Sequence, residues 1–187
     1  FVHRRVLEYR KRGVEVDVFR IGTDGLSFYE FDGVDVAYGQ ADHLRAMLRS
    51  GRYESVLVHF LDERMAAVLS EVIDRTRIFV WAHGAEIQSA SRREFDHQDD
   101  ATRKRAVALG DRRMRFWREV FSEAHPNLHM IYVSHWFAQD VMQDVGIALP
   151  DDAYRIIHNF IDTEFFAYQP KLAVQRCKIL SIRPFES

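Results

Sequence analysis

The sequence predicts an α/β protein with a Rossmann-like, three-layer architecture, in which a parallel sheet carries helices on both faces. Short apolar runs alternate along the chain with longer stretches whose apolar residues recur every three or four positions, the pattern of strands alternating with helices. Two of the apolar runs, residues 55–60 and 77–82, are nearly continuous. Such runs are typical of strands that are buried on both faces of a parallel sheet.

The first elements follow from local pattern. Residues 1–12 predict an amphipathic helix because Val2, Val6 and Tyr9 share one face, and Gly13 ends it. Strict alternation predicts a strand over residues 14–19, followed by a turn at 22–25. The same signals predict strands at 34–38, 55–60 and 77–82, and helices at 41–49 and 63–74.

The second half continues the alternation. Residues 89–100 are polar without periodicity and predict an exposed loop, whereas 101–124 predict a long helix with one apolar stripe. The remaining predictions are a strand at 129–133, a helix at 136–145 closed by Gly146, and a strand at 154–157.

Composition excludes several classes of protein. A length of 187 residues allows one domain and part of a second. The formal net charge of −2, with no recognisable binding motif, argues against nucleic acid. The one cysteine, Cys177, rules out an internal disulfide and fits a reducing, cytoplasmic compartment. The histidines show no recognised metal spacing, and no cofactor or metal is expected; dinucleotide, Walker and nucleophile-elbow motifs are also missing.

Polar residues cluster where the predicted strands end. Ligands of open parallel sheets bind beyond the carboxyl ends of the strands, so these positions are the candidate site. Imidazoles are prominent there, and they titrate near neutrality and can donate or accept a hydrogen bond. The candidates are His59, His83, Gly84, Glu86, Ser134 and Asn159.

Three segments resemble GT-B glycosyltransferases, especially retaining family 4. Tyr154-Arg-Ile-Ile-His-Asn-Phe-Ile-Asp162, with the strand-like Lys178-Ile-Leu-Ser-Ile-Arg183 after it, resembles the crossover between the two domains of that family. Arg12-Gly13-Val14-Glu15-Val16 is similar to the junction after the family's first helix. Phe79-Val-Trp-Ala-His-Gly-Ala-Glu-Ile87 is similar to the segment whose histidine faces the sugar cleft. His158 and Phe160 depart from the family's Pro and Gly, which puts the local turn geometry in doubt.

The resemblance implies roles for the candidates. His83 would contact the transferred sugar as the catalytic residue, with the alternative of a rim histidine bonded to a carbonyl. Gly84 would let the backbone approach a ligand, and Glu86 would either bind an acceptor hydroxyl or cap a helical turn. Ser134 caps the next helix or lies near the acceptor. His59 would be either a polar site residue at a strand end or a structural residue. Asn159 would fix the crossover through hydrogen bonds from its side chain to the backbone.

The resemblance also implies the domain organisation. Residues 1–168 would form the acceptor-side domain, the N-terminal half of a GT-B fold, without its first strand. Residues 169–187 would be the crossover linker and the first strand of a mostly absent donor-binding domain. Complete members transfer a sugar from a nucleotide-sugar to a hydroxyl of a saccharide or lipid-linked acceptor with retention. This chain alone is therefore expected to be inactive.

Other readings remain open at this stage. The basic helix at 101–124 could contact a membrane peripherally, at the inner face, because some family 4 acceptors are lipids. A non-catalytic α/β module that binds carbohydrate or a protein partner is the main alternative to the enzyme. A flavodoxin-like or other nucleotide-binding domain is the third.

Overall fold

A computed structural model gives the fold of residues 2–92 and 99–161, together with positions 163, 167 and 170. Helices and strands alternate through this part of the chain, as the sequence predicts. In order they are α1 (Val2–Lys11), β1 (Val18–Ile21), β2 (Ser27–Phe31), β3 (Val34–Gly39), α2 (Ala41–Arg49), β4 (Ser55–His59), α3 (Glu63–Ser70), β5 (Arg77–Trp81), α4 (Asp100–Ser122), β6 (Leu128–Tyr132), α5 (His135–Val145) and β7 (Tyr154–Ile156).

The larger sheet is wholly parallel and is flanked by helices, which confirms the α/β class. Its strands lie in the order β4-β5-β6-β7, and α3, α4 and α5 connect them in turn. Apolar side chains of the strands and helices bury one another in a single core, as expected for a sheet covered by helices. The largest fully buried members are Trp117, Tyr132, Ile78 and Ile87.

The smaller sheet corrects the prediction of parallel strands only. Its order is β1-β3-β2, with β1 parallel and β2 antiparallel to β3. Strand β2 was not predicted, although Asp32-Gly33 between alternating apolar residues is a strong hairpin signal. Both turn residues have positive φ, 50° and 77°, as a two-residue hairpin turn with right-handed strand twist requires.

Two further predicted boundaries are wrong. The strand expected at 14–19 begins at Val18, because the amide of Val14 still bonds the Tyr9 carbonyl at the end of α1. Pairing with β3 starts only where Val18 meets Val36. The helix expected at 63–74 ends at Ser70, since the following amides bond carbonyls three residues back, in turns rather than in α-helix.

Strand β4 lies at the edge of the parallel sheet within the described part of the chain, which corrects its prediction as a strand buried on both faces. Leu57 in its centre is 40% exposed. The crossover strand at 178–183 and, apart from position 170, the second-domain segment 169–187 lie outside the described residues, as do residues 93–98 of the loop predicted at 89–100. The other predicted elements agree to within about two residues, the usual uncertainty of element ends.

Helix α4 begins at the N-cap Asp99, whose carboxylate accepts from the amide of Thr102. Its first turns project into solvent and expose Val107 and Leu109 among basic side chains. In the described residues, no helix is both long enough and apolar enough to cross a bilayer. Peripheral membrane contact by α4 stays a prediction, and sedimentation with anionic vesicles would test it.

Candidate functional site

The predicted site residues at β4 and β5 come together at the carboxyl edge of the parallel sheet. His59 is the last residue of β4 and lies beside Trp81, the last residue of β5. His83 follows Trp81 by two positions. Because the strands are parallel, both histidines reach the same edge, where ligands of such sheets bind.

Four aromatic rings form a continuous stack at this edge. His59 lies between Trp81 and His83, with centroid distances of 5.3 Å and 5.1 Å. Phe60 stacks on His83 with a centroid distance of 4.6 Å. Nδ1 of His59 is 2.8 Å from Nε2 of His83, so one imidazole donates a hydrogen bond to the other. We call Trp81, His59, His83 and Phe60 the ring stack.

Both imidazoles of the ring stack are held neutral. Burial, reinforced by His83 and by Arg5, lowers the pKa of His59 from 6.5 to about 4. Burial also lowers the pKa of His83, with Glu86 acting in the opposite direction. In the neutral pair one N–H lies between Nδ1 of His59 and Nε2 of His83. Nδ1 of His83 therefore remains available to another partner.

The depressed pKa of His59 predicts a loss of stability in acid. At pH 7 both states are neutral at this ring. As pH falls below 6.5 the unfolded chain binds the proton first, so stability declines until about pH 4, where the folded ring also protonates. Allowing for partial solvation of the ring, we expect the free energy of unfolding to fall by about 1–2 kcal/mol over this pH range.

Urea unfolding at pH 7 and pH 4.5 measures this effect. His59→Gln is the comparison, because its amide can bond His83 but does not titrate. The stability of the variant should change less between the two pH values than that of the wild type. Equal changes in both proteins would contradict a neutral, buried His59.

Unusual backbone conformations hold the two sides of the site. Phe60 has φ of 58°, in the left-handed region, yet its ring is 57% exposed. A bulky residue in this region is strained, and such strain concentrates at functional sites. Gly84 has φ of 150°, which other residues rarely adopt, although a Cβ there would meet only Gln88 at 3.8 Å. The backbone conformation at position 84 therefore explains why a glycine stands there, and a lack of room for a side chain does not.

Helix α4 anchors the turn that carries His83. Trp117 donates its indole N–H to the Glu86 carbonyl at 2.7 Å, and Arg113 donates to the Ala85 carbonyl. The Glu86 carboxylate accepts a hydrogen bond from the backbone amide of His83. Glu86 thus closes its own turn, the capping alternative considered above, while lying beside the catalytic candidate.

The other two predicted site residues have different surroundings. Ser134 is the N-cap of α5, and its hydroxyl accepts from the Phe137 amide at 3.1 Å. Asn159 is exposed and makes no hydrogen bond through its side chain within the described residues. Its neighbour His158 is fixed through Nδ1, 2.8 Å from the Val133 carbonyl oxygen. Neither Ser134 nor Asn159 hydrogen-bonds the ring stack.

Arg5 of α1 is a site residue that sequence reasoning missed. Its guanidinium carbon lies 5.2 Å from the ring centroid of Trp81 and 5.7 Å from that of Phe160. It therefore joins the first helix, the ring stack and the crossover segment. In the sequence Arg5 is one of several basic residues of an amphipathic helix, and no local signal distinguishes it.

A groove of about 580 Å³ adjoins the ring stack. It runs between α4 and the loop from β4 to α3, and shares Phe60 and Glu86 with the site. One acid–base pair crosses it, with Nε of Arg112 3.0 Å from a Glu63 carboxylate oxygen. Its lining combines apolar and charged side chains, as in ligand sites generally: Phe60, Leu61, Asp62, Glu63, Ala85, Glu86, Leu109, Arg112, Arg113 and Phe116.

No family model matches the chain, and comparison with characterised proteins also finds no match. The geometry of the site and the resemblance of its motifs are therefore the grounds on which a function is argued.

Proposed function

We propose that the chain is the acceptor-side domain of a retaining GT-B glycosyltransferase, with the three-layer Rossmann-like arrangement of that fold. The observation that carries the proposal is His83. Its neutral imidazole lies at the carboxyl edge of a parallel sheet, fixed by His59, Phe60 and the turn of Glu86. The resemblance assigns the sugar-facing role to this same histidine.

The chemistry asked of His83 is positioning. Sugar transfer passes through an oxocarbenium-like sugar, and a correctly held hydroxyl and leaving group lower its barrier. A neutral ring whose Nε2 faces His59 could offer Nδ1 to a sugar hydroxyl without adding positive charge beside the developing cation. His59 would act as a positioning residue, because its hydrogen bond to Nε2 holds the plane of the His83 ring.

The groove beside the ring stack is the proposed acceptor site. The exposed Phe60 and the partly buried Phe116 line the groove with flat apolar surfaces of the kind that pack against sugar rings. The Glu63–Arg112 pair supplies both acceptors and donors for hydroxyl groups. The nucleotide-sugar donor would be bound mainly by the second domain, which the resemblance places after residue 168.

The test is transfer by the complete protein. Incubation with a panel of nucleotide-sugars and saccharide or lipid-linked acceptors should yield a glycoside whose anomeric configuration, read by NMR, matches the donor. The 187-residue chain alone should give no transfer. Transfer with inversion, or measurable transfer by the isolated chain, would contradict the proposal.

The alternative function is a non-catalytic module that binds a partner protein. Strand β2 favours it, because Phe28 and Phe31 are 76% and 57% exposed on an edge strand. Under this alternative the complete protein would show no transfer with any donor. A binding partner would then be lost on replacing Phe28 with serine.

A further inference from the structure

Arg5 is a partly buried cation that has no carboxylate partner among the described residues. Its Nε is buried and makes no hydrogen bond in the described structure, and its contacts there are with the faces of Trp81 and Phe160. Removing a guanidinium from water without an anion is unfavourable. Cation–π contacts offset part of this penalty and fix the plane of the group, but they leave its N–H donors free.

Two other partly buried arginines of the described chain are neutralised by carboxylates, whereas Arg113 donates to the Ala85 carbonyl. Arg92 bonds the carboxylates of Asp140 and Asp144, and Arg45 bonds those of Asp42 and Glu71. Their side chains are 27% and 29% exposed. Among the described residues, Arg5 therefore differs from Arg92 and Arg45 in having no carboxylate partner, and from Arg113 in having no carbonyl partner.

A second unsatisfied donor belongs to the same stacked pair. The indole Nε1 of Trp81, a residue only 4% exposed, is buried and has no hydrogen-bond partner in the described part of the chain. Buried N–H groups are nearly always satisfied, and an exception indicates a missing partner. Within residues 2–92 and 99–161, Arg5 Nε and Trp81 Nε1 thus have no acceptor at the carboxyl edge of the sheet, beside the neutral His59.

We propose that Arg5 and Trp81 form an oxyanion-binding site for a phosphoryl group. A guanidinium matches phosphate oxygens in a bidentate fork, and the indole N–H supplies a further donor. The phosphoryl group could belong to a nucleoside diphosphate or to a free phosphate. The site does not depend on transfer, so binding can be tested separately from the proposed function.

The experiment titrates the chain with inorganic phosphate and, separately, with uridine diphosphate. The indole N–H resonance of Trp81, assigned with Trp81→Phe, reports the site by NMR. We expect a saturable shift that Arg5→Gln weakens at least about tenfold in Kd, the effect of losing a charge-assisted pair. Arg5→Lys keeps the charge but not the bidentate geometry of the guanidinium, so its Kd should lie between those of the wild type and Arg5→Gln.

Arg12→Gln is the matched control, because Arg12 carries the same charge at an exposed position just after α1. It should leave the Kd unchanged, and Arg5→Gln should keep the dispersed spectrum of the folded chain. Tighter binding of uridine diphosphate than of phosphate would identify a nucleotide source, and equal binding a single phosphoryl group. No saturable shift with either probe, or equal losses from Arg5→Gln and Arg12→Gln, would overturn the site.

Discussion

Replacing His83 with alanine in the complete protein should lower kcat by about 100-fold, the lower range for a side chain that assists transfer by proton or hydrogen-bond chemistry. The reason is geometric. His83 is the ring of the stack whose free nitrogen can meet a hydroxyl, and the turn that carries it is held independently by Trp117 and Arg113. Folding stability should change far less, by about 1 kcal/mol, as for a half-buried side chain.

His129→Ala is the matched control for this measurement. His129 is also a partly buried imidazole stacked on an aromatic ring, with its centroid 5.3 Å from that of Phe79, but it lies on β6 away from the ring stack. Its loss should leave kcat within about twofold, since distant surface changes usually matter little. Equal turnover in the wild type and His83→Ala would remove His83 from the site.

Replacing Trp117 with alanine should destabilise the chain by about 3–5 kcal/mol, the range for truncating a buried tryptophan. Trp117 is 1% exposed, and packs edge-on against Phe116 and Phe121. The change would also leave the Glu86 carbonyl without its indole donor. Urea unfolding followed by circular dichroism measures the loss.

Trp136→Ala provides the comparison, because Trp136 is 69% exposed at the start of α5. Its truncation should cost no more than about 0.5 kcal/mol, as at most surface positions. Trp117→Phe should fall between the two alanine variants, since it keeps packing but loses the hydrogen bond. A Trp117→Ala protein as stable as Trp136→Ala would show that α4 does not secure the turn of His83.

Periodicity was enough to predict most of the parallel sheet and its helices. The nearly continuous apolar runs predicted at 55–60 and 77–82 are β4 and β5, which pair in parallel. Periodicity did not predict β2, whose only sequence signal is the Asp32-Gly33 turn that follows it. Strand β2 is exposed at every residue, so no burial pattern marks it.

The site was only partly accessible to sequence reasoning. His59 and His83 are found at strand ends, and strand ends of a parallel sheet converge by topology. Their direct contact, and the cover of His83 by Phe60, depend on ring orientations that no spacing encodes. Arg5 is far away in the chain and reaches the site through tertiary packing of α1.

The open side of β4 has a practical consequence for work with this chain. Among the described strands β4 pairs only with β5, so alternate peptide groups along it lack a neighbour. An edge strand of this kind can pair with an extended segment of another chain, and the exposed Leu57 adds an apolar contact for it. Concentrated samples are therefore expected to self-associate through this border, and a lysine at position 57 would act as a gatekeeper against it.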